Sequence, residues 1–227
     1  MENQRNNWKR KSFVLRKGRI TFAQKRAIKY LWKEYGIEYT PKLLKLESIF
    51  KDLAQTGLDI GFGSGESLIH MAENNTNIGL LGVEVYPPGI GIALNRAKQK
   101  GIKNIRIING DVELVLQHCL MDKSLDFILV FYPDPWPKKR HHKRRLLNSD
   151  FLNLALRKLK TGGLLYGKTD SEDYFRFIEK EISLCKGWKK LCTTELPMNF
   201  LKLPSSSYEN KALKKANETK SFIYKKI

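Results

Sequence analysis

A glycine-rich turn is the first place in this sequence where residue types and spacing could do chemistry. The segment LDIGFGSGE, residues 58–66, runs from a short apolar stretch through three glycines into a helical pattern. Glycine lets a backbone turn tightly and approach a ligand without a Cβ clash, and the helix that follows presents free N–H groups. We therefore assign Gly61 and Gly63 to a ligand site, although a tight turn without a ligand would use the same residues.

Three acidic residues belong to the same predicted site. Asp59 lies at the first turn, Glu84 ends the second predicted strand, and Asp111 follows the third. Open α/β folds bind ligands where the carboxyl ends of parallel strands meet, so these acids should share one edge of the sheet. Glu84 could accept hydrogen bonds from both ribose hydroxyls of an adenosine, and Asp111 could accept one from the adenine amine. A helix N-cap is the alternative role for Asp111.

Two classes of adenosine cofactor fit this pattern, the nicotinamide dinucleotides and S-adenosylmethionine. The glycine spacing is G-x-G-x-G, which differs from the G-x-G-x-x-G of dinucleotide-binding turns. A carboxylate at Asp59 would repel a pyrophosphate, whereas it suits the cationic methionine portion of S-adenosylmethionine. The turn therefore favours S-adenosylmethionine.

A proline-stiffened loop follows the fourth predicted strand. The segment FYPDPWP, residues 131–137, holds three prolines in five residues, which restrict the backbone. Asp134 could accept hydrogen bonds from the N1–H and amino group of a guanine, and Tyr132 or Trp136 could stack on an unstacked base. The loop therefore predicts a nucleobase site across the sheet edge from the glycine turn. A rigid connection with a packed Trp is the alternative.

An uninterrupted run of basic and titratable residues, KKRHHKRR at 138–145, comes next. Eight such residues in a row are not expected in a packed element, and beside a base site they predict a phosphate-binding surface. A localisation signal or a solvated run would be the alternatives. The histidines fit RNA contacts better than metal ligands, since no acid or thiol stands nearby in sequence. The residues assigned to RNA binding here are Lys138, Arg140, His141, His142, Lys143, Arg144 and Arg145.

These candidate residues need a parallel sheet to bring them together, and the apolar pattern predicts one. Strands alternate with helices as in an α/β fold whose mostly parallel sheet carries helices on both faces. Seven strands are predicted, at residues 58–60, 78–85, 105–108, 125–131, 164–168, 189–194 and 222–226. Helices are predicted at residues 21–34, 68–72, 89–100, 112–120, 151–159 and 172–184. We expect a flexible basic arm over residues 1–20 and a single domain over residues 21–227.

The amino-acid composition indicates which kinds of partner the protein can be expected to bind. Lys and Arg number 42 against 23 Asp and Glu, a formal net charge of +19, which favours a polyanion because neutralised phosphates release counterions. No apolar run reaches the roughly 18 residues of a membrane span, and residues 1–18 lack the apolar region of a secretory signal. Three cysteines without a CxxC pair indicate reduced thiols, and the histidines are not spaced as metal ligands. We therefore expect a cytoplasmic protein without a membrane or metal partner, either a monomer or a homodimer.

Together these segments resemble the bacterial tRNA (guanine-N7)-methyltransferase family. The matching blocks are DIGFGSGE, GVEV, NGD, PDPWPKKRHHKRR and KTD, spread over about residues 58–170, and the long PDPW block with its basic tail is the specific one. The resemblance implies a Rossmann-like class I methyltransferase fold with an antiparallel strand near the C-terminus. It implies S-adenosylmethionine contacts at Asp59, Glu84, Asp111 and Asp134, with Asp134 also the catalytic aspartate. It further implies tRNA or base contacts at Lys138 and Asp170.

Two departures from the family pattern stand out. Asp59 occupies a position where the family usually has Glu, which shortens the side chain by one methylene and keeps the charge. A late block, T-K-F-E-x-R-G in the family, is SSYENKA at residues 206–212. Ser206 and Glu209 are the residues of that block that the resemblance assigns to the tRNA.

The leading hypothesis is methyl transfer from S-adenosylmethionine to N7 of guanosine 46 in the variable loop of tRNA. One alternative is an amino-group methyltransferase, because those enzymes place Asp/Asn-Pro-Pro-aromatic after the same strand and Asp134-Pro135-Trp136 is a near relative. A second is a non-catalytic RNA-binding protein. A nicotinamide oxidoreductase would need a phosphate-tolerant first turn and a hydride-transfer acid/base pair, which the sequence does not offer.

Overall fold

The computed structural model describes residues 12–13, 19–196, 200 and 218–227. Its centre is an eight-stranded sheet in the order β1-β4-β3-β2-β5-β6-β8-β7. The strands are β1 (Gly36–Ile37), β2 (Gln55–Ile60), β3 (Ile78–Glu84), β4 (Ile105–Asn109), β5 (Leu125–Phe131), β6 (Leu159–Thr169), β7 (Trp188–Lys190) and β8 (Lys220–Lys226). Strands β1 to β6 pair in parallel, and β8 runs antiparallel to both of its neighbours.

Helices cover both faces of this sheet. They are α1 (Phe22–Tyr35), α2 (Leu46–Ile49), α3 (Glu66–Asn74), α4 (Pro87–Gln99), α5 (Val112–His118), α6 (Ser149–Lys158) and α7 (Glu172–Ser183). Helices α1, α3 and α4 bury apolar side chains in one core with Leu80 and Ile107. Helices α5, α6 and α7 do so in the other with Leu81 and Ile108. Neighbouring residues of one strand point to opposite faces, which explains the continuous apolar runs of β3 and β4.

The predicted fold class is confirmed, with one correction to the strand count. The prediction of seven strands missed β1, in which Gly36 and Ile37 pair with Ile107 and Ile108 of β4. A strand of only two residues is too short to show an alternating apolar pattern, so the sequence of β1 does not indicate a strand. It follows from the end of α1, which brings the chain beside the edge of β4.

Strand β6 also begins earlier than predicted. The prediction placed a helix over 151–159 and a closing turn at Thr161-Gly162-Gly163, whereas α6 ends at Lys158 and β6 starts at Leu159. Pairing with β5 shifts register between Leu125 and Phe127, and Gly162 adopts a φ of +81°. Glycine tolerates this left-handed conformation, so the irregular stretch stays within the strand.

Local sequence signals explain where the helices begin. Thr21 accepts a hydrogen bond from the Gln24 amide while the Gln24 side chain accepts one from the Thr21 amide, which forms a capping box for α1. The side chains of Asn148 and Ser171 cap α6 and α7, and each accepts a hydrogen bond from the amide three residues on. These caps set the points at which the chain leaves the sheet edge.

The parallel strands end at one edge, and that edge carries the candidate residues. Glu84 pairs with Asn109, Ile60 pairs with Val83 and Val130, and Phe131 pairs with Lys168. The segments that follow β2, β3, β4, β5 and β6 therefore start side by side. In the part of the chain that the structure describes, we find no helix with the length and apolar character needed to cross a membrane.

Candidate active site at the carboxyl edge of the sheet

A cavity of about 440 Å³ opens at the carboxyl edge of the sheet. Its volume is in the range of small-molecule sites. Its walls come from the glycine turn after β2, the end of β3, the start of α5 and the proline-stiffened loop after β5. The lining includes Asp59, Gly61, Gly63, Glu84, Gly110, Val112, Tyr132, Pro133 and Asp134.

A hydrogen bond to Glu84 fixes the position of the glycine turn. Gly61 and Gly63 have φ values of +64° and +56°, and nothing lies within 4 Å of where a Cβ of Gly61 would stand. The Glu84 carboxylate accepts from the Gly63 amide at 2.8 Å and from the amides of Val85 and Tyr86 at 2.7 and 3.0 Å. Burial raises the pKa of Glu84, and these hydrogen bonds act against that rise. Since a carboxylate has about four acceptor positions, these three bonds leave room for about one more from a ligand.

Asp59 is buried directly behind the turn. The residue is 1% exposed, and its carboxylate accepts a hydrogen bond from Ser67 Oγ at 3.2 Å. Burial, with a smaller contribution from the charge of Glu84, raises the pKa of Asp59 to about 7. Among the described residues, neither Asp59 nor Glu84 has a cationic partner to stabilise it. In a chain of net charge +19, two buried acids without a cation suit a positively charged ligand.

Asp111 lies between two lining residues and already has a local partner. Its carboxylate accepts from the Glu113 amide at 3.0 Å and so caps α5. Its neighbours Gly110 and Val112 line the cavity. The N-cap role, which the sequence allows as an alternative for Asp111, is therefore present in the structure. An adenine contact for Asp111 stays a prediction.

The loop after β5 has a strained backbone on either side of Asp134. Tyr132 and Trp136 both adopt left-handed conformations, with φ values of +51° and +48°. Bulky residues seldom adopt this conformation, which costs about 1–3 kcal/mol and recurs at functional sites. The Tyr132 amide donates to the Lys168 carbonyl of β6 at 2.8 Å, which ties the loop to the sheet. Asp134 is exposed, lines the cavity, and its charge contributes to the raised pKa of Glu84.

The two aromatic residues of this loop have different surroundings. Tyr132 lines the cavity. Trp136 instead donates from Nε1 to the Ser12 carbonyl at 3.0 Å, and the Arg144 guanidinium lies 4.7 Å from its ring centroid. The sequence predicts either residue as the one that stacks on a base, and the geometry favours Tyr132.

Arg145 requires a correction. The sequence assigned it to the phosphate-binding surface, but the residue is 1% exposed and cannot present its charge to a polyanion. Its guanidinium pairs with Asp173 and lies 5.1 Å and 4.9 Å from the ring centroids of Tyr174 and Phe177. The expectation that the run does not pack was wrong for Arg145 alone, because the 3-10 helix formed by Lys139–Arg144 contains no buried residue.

The rest of the basic run is divided between surface and partly covered positions. Lys138, Arg140 and Lys143 are exposed, whereas His141 and Arg144 are partly covered beside Trp136. His142 points its buried Nε2 toward Asp173, at 3.7 Å, and this atom has no hydrogen-bond partner among the described residues. The exposed cations are therefore the better placed for a phosphate.

The remaining predicted contacts lie farther from the cavity or outside the described residues. Asp170 follows the end of β6 at the same edge of the sheet and is not among the lining residues. Ser206 and Glu209 lie outside the described residues. The described residues contain no group of three His, Cys, Asp or Glu side chains arranged to hold a metal ion.

The N-terminal segment supplies two lining residues that the sequence interpretation missed. Ser12 and Phe13, in the segment predicted as a flexible arm, line the cavity. The aromatic Phe13 within a basic segment was the available signal. Both residues reach the site because the Ser12 carbonyl accepts the hydrogen bond from Trp136.

The chain has relatives in sequence and in fold. A family model described as a putative methyltransferase matches residues 54–222. A tRNA (guanine-N(7)-)-methyltransferase of Nitrosococcus oceani is 48% identical over 180 residues, which cover 79% of this chain and 76% of that relative. A protein of the same name from Shewanella frigidimarina is 42% identical and covers 81% of this chain and 77% of its own length.

Solved structures agree on the fold. The 16S rRNA methyltransferase KamB superposes with a TM-score of 0.58 at 11% identity, over 82% of this chain and 94% of its own. The aminoglycoside resistance methyltransferase NpmB1 gives a TM-score of 0.52 at 15% identity, over 82% and 95% of the two chains. At these identities the likeness shows the class I methyltransferase fold alone. The sequence relatives go further, and on their identity and coverage the chain belongs to the tRNA (guanine-N(7)-)-methyltransferase family.

Proposed function

We propose that this protein transfers a methyl group from S-adenosylmethionine to N7 of guanosine 46 in the variable loop of tRNA. One observation carries the proposal. Asp134, on the loop suited to a nucleobase, lines the same cavity as the buried acids Asp59 and Glu84. The names of the relatives, which specify a tRNA and guanine N7, support the substrate.

The residues of the cavity fit S-adenosylmethionine. Asp59, a buried acid with no cationic partner among the described residues, would lie beside the cationic methionine portion. Glu84 would accept from the ribose, Asp111 from the adenine amine, and the glycines at 61 and 63 would let the backbone approach. When bound, S-adenosylmethionine supplies an electrophilic methyl group on a cationic sulfur.

Guanine N7 needs little activation by the protein. It carries an in-plane lone pair and no proton, so no general base has to remove one before methyl transfer. The work of the protein is to orient the base and to stabilise charge that moves onto it. Asp134 would do both, because its carboxylate can accept from the N1–H and amino group of guanine and faces the positive charge that the ring acquires.

The surface beside the cavity would hold the tRNA backbone. Lys138, Arg140 and Lys143 present exposed positive charge next to the loop that carries Asp134. His141, Arg144 and Asp170 would make further contacts with the tRNA at the edges of that surface. Contacts of this kind fix the register of a nucleic acid without reading its sequence.

The test is label transfer with the complete chain. The protein is incubated with methyl-labelled S-adenosylmethionine and unmodified tRNA, and the product is digested to nucleosides. We expect 7-methylguanosine that maps to position 46, and no product from tRNA with adenosine at that position. A methyl group on an amino group would support the amino-group methyltransferase instead. If calorimetry detected no binding of S-adenosylmethionine, the result would favour a non-catalytic RNA-binding protein.

A further inference from the structure

Helix α1 presents a basic face to solvent that the candidate site does not use. Its exposed positions recur at intervals of three and four residues, which places them on one side of the helix. The opposite side packs into the core through Ala27 and Tyr35. The residues of this surface, called the α1 face below, are Phe22, Lys25, Arg26, Lys29, Tyr30 and Lys33.

Among the described residues, the four cations of the α1 face have no acidic partner. None of them forms an ion pair within the part of the chain that the structure describes, and Glu34, the one acid of α1, is paired with Lys98 of α4 at 3.0 Å. The cations of α4 and its C-cap differ in this respect, because Arg96 and the C-cap residue Lys100 also face acids, Glu66 and Glu73. The α1 face is therefore a local concentration of uncompensated positive charge, which suits a polyanion.

Two aromatic side chains stand among these cations. Phe22 is 82% exposed and Tyr30 is 64% exposed, although large aromatic side chains usually bury most of their surface. The Lys29 ammonium lies 5.3 Å from the centroid of the Tyr30 ring. Aromatic rings interleaved with cations are the combination by which proteins hold RNA, with phosphates on the cations and bases or sugars on the rings.

The packing of α1 places this face near the cavity. Helix α1 runs parallel to α4, since Gln24 lies against Gly91 and Glu34 pairs with Lys98. The first turn of α4 in turn touches the glycine turn, where a Cβ on Gly89 would stand 2.3 Å from the Gly63 carbonyl. The N-terminal half of α1 therefore lies one helix away from the cofactor side of the cavity, or about 8–10 Å between axes.

The α1 face and the basic run lie on opposite flanks of the cavity. Helix α1 belongs to the core that holds α3 and α4, whereas Arg145 packs on Tyr174 of α7, in the other core. A nucleotide bound at Asp134 would thus have positive charge on both sides. The backbone of a tRNA extends well beyond a single nucleotide, so one molecule could contact both surfaces.

We propose that the α1 face is a second tRNA-binding surface, which holds the backbone on the cofactor side of the cavity. The inference rests on the proposed function, because it takes the substrate to be tRNA. It assigns phosphate contacts to Lys25, Arg26, Lys29 and Lys33, and stacking or sugar contacts to Phe22 and Tyr30.

The test compares two variants with equal loss of charge. In the first, Lys25, Lys29 and Lys33 are replaced by Ala, which preserves helix propensity. In the control, Lys51, Lys103 and Lys186 are replaced by Ala; these exposed lysines precede β2, β4 and β7, at the opposite edge of the sheet. We expect the α1 variant to bind tRNA about tenfold more weakly than the wild type at moderate salt, with a shallower salt dependence. S-adenosylmethionine affinity and turnover at saturating tRNA should stay unchanged, and the control should bind as the wild type does.

A second measurement on the wild-type protein does not depend on any variant folding. Lysine acetylation is mapped by mass spectrometry with and without saturating tRNA. We expect tRNA to protect Lys25, Lys29 and Lys33 but not the three control lysines. Equal tRNA affinity of the two variants, or no protection of α1, would overturn the inference and indicate that this face serves another partner. A wild-type protein that neither binds nor methylates tRNA would instead refute the proposed function.

Discussion

Arg145 Nε donates a hydrogen bond to the main-chain carbonyl of Pro135 at 2.9 Å. Pro135 directly follows Asp134, so this bond reaches the segment that would hold the target base. The same guanidinium pairs with Asp173 in the first turn of α7. The last residue of the basic run therefore anchors the strained loop to the body of the protein, and the exposed residues before it remain available to the proposed tRNA substrate.

Replacing Arg145 by Lys should slow methyl transfer without a matching loss of tRNA affinity. Lys cannot maintain the planar contacts to both Pro135 and Asp173 or stack on the two aromatic rings. We expect turnover to fall about tenfold and the free energy of unfolding to fall by about 2 kcal/mol, since bonds to a buried charged group are lost. Steady-state kinetics with varied tRNA and thermal unfolding measure the two effects. A variant with wild-type turnover at saturating tRNA would contradict a positioning role.

Replacing Asp134 by Ala should remove most turnover and leave S-adenosylmethionine binding largely intact. The carboxylate is exposed at the cavity, so its loss opens no void in the core. We expect turnover to fall by about two to three orders of magnitude, the range for loss of one preorganised electrostatic contact. Calorimetry with S-adenosylmethionine checks that the site is otherwise formed. Turnover close to that of the wild type would refute the catalytic assignment.

Affinity for S-adenosylmethionine should rise with pH through about 7. The folded protein holds the pKa of Asp59 near 7, and only the ionised carboxylate attracts a cationic ligand. Below that pKa, binding must first expel a proton, so affinity should fall by up to about tenfold per pH unit. Calorimetry from pH 5.5 to about 8.5 measures the slope. The Asp59→Asn variant is the control, and the idea fails if its pH dependence equals that of the wild type.

Replacing Lys138, Arg140 and Lys143 by Ala should weaken tRNA binding in a salt-dependent manner. Each side chain is exposed beside the cavity, and each phosphate contact contributes about 0.7–0.9 to the slope of log K against log salt. We expect the slope to decrease by about 2–3 while the melting temperature stays unchanged. The variant of Lys51, Lys103 and Lys186 serves as the matched control. An unaltered slope would show that this surface does not contact phosphates.

Much of the site could be predicted because, in a parallel sheet, the place of a residue relative to its strand in the sequence determines the edge of the sheet at which it lies. The buried runs that form β3 and β5 are recognisable in one dimension, and the residues that follow them must meet at one edge. Asp59, Glu84 and Asp134 share a cavity for this reason. The same reasoning placed helices on both faces of the sheet.

The features that could not be predicted depend on contacts between distant segments. A run of eight basic residues does not reveal which one turns inward, and Arg145 does so because Asp173, 28 residues later, lies beside it. Ser12 reaches the cavity through Trp136, 124 residues away in the chain. Strand β1 arises from the path of the chain after α1, which no local pattern encodes.

The most direct test of the central claim uses tRNA with inosine in place of guanosine 46. Inosine keeps N7 and N1–H but lacks the amino group that would donate to Asp134. We predict that single-turnover methylation by the wild type slows about tenfold with inosine, whereas the Asp134→Ala variant, which has no acceptor at this position, methylates both tRNAs at the same reduced rate. Equal rates with guanosine and inosine in the wild type, or the same decrease in both proteins, would contradict recognition of the base by Asp134.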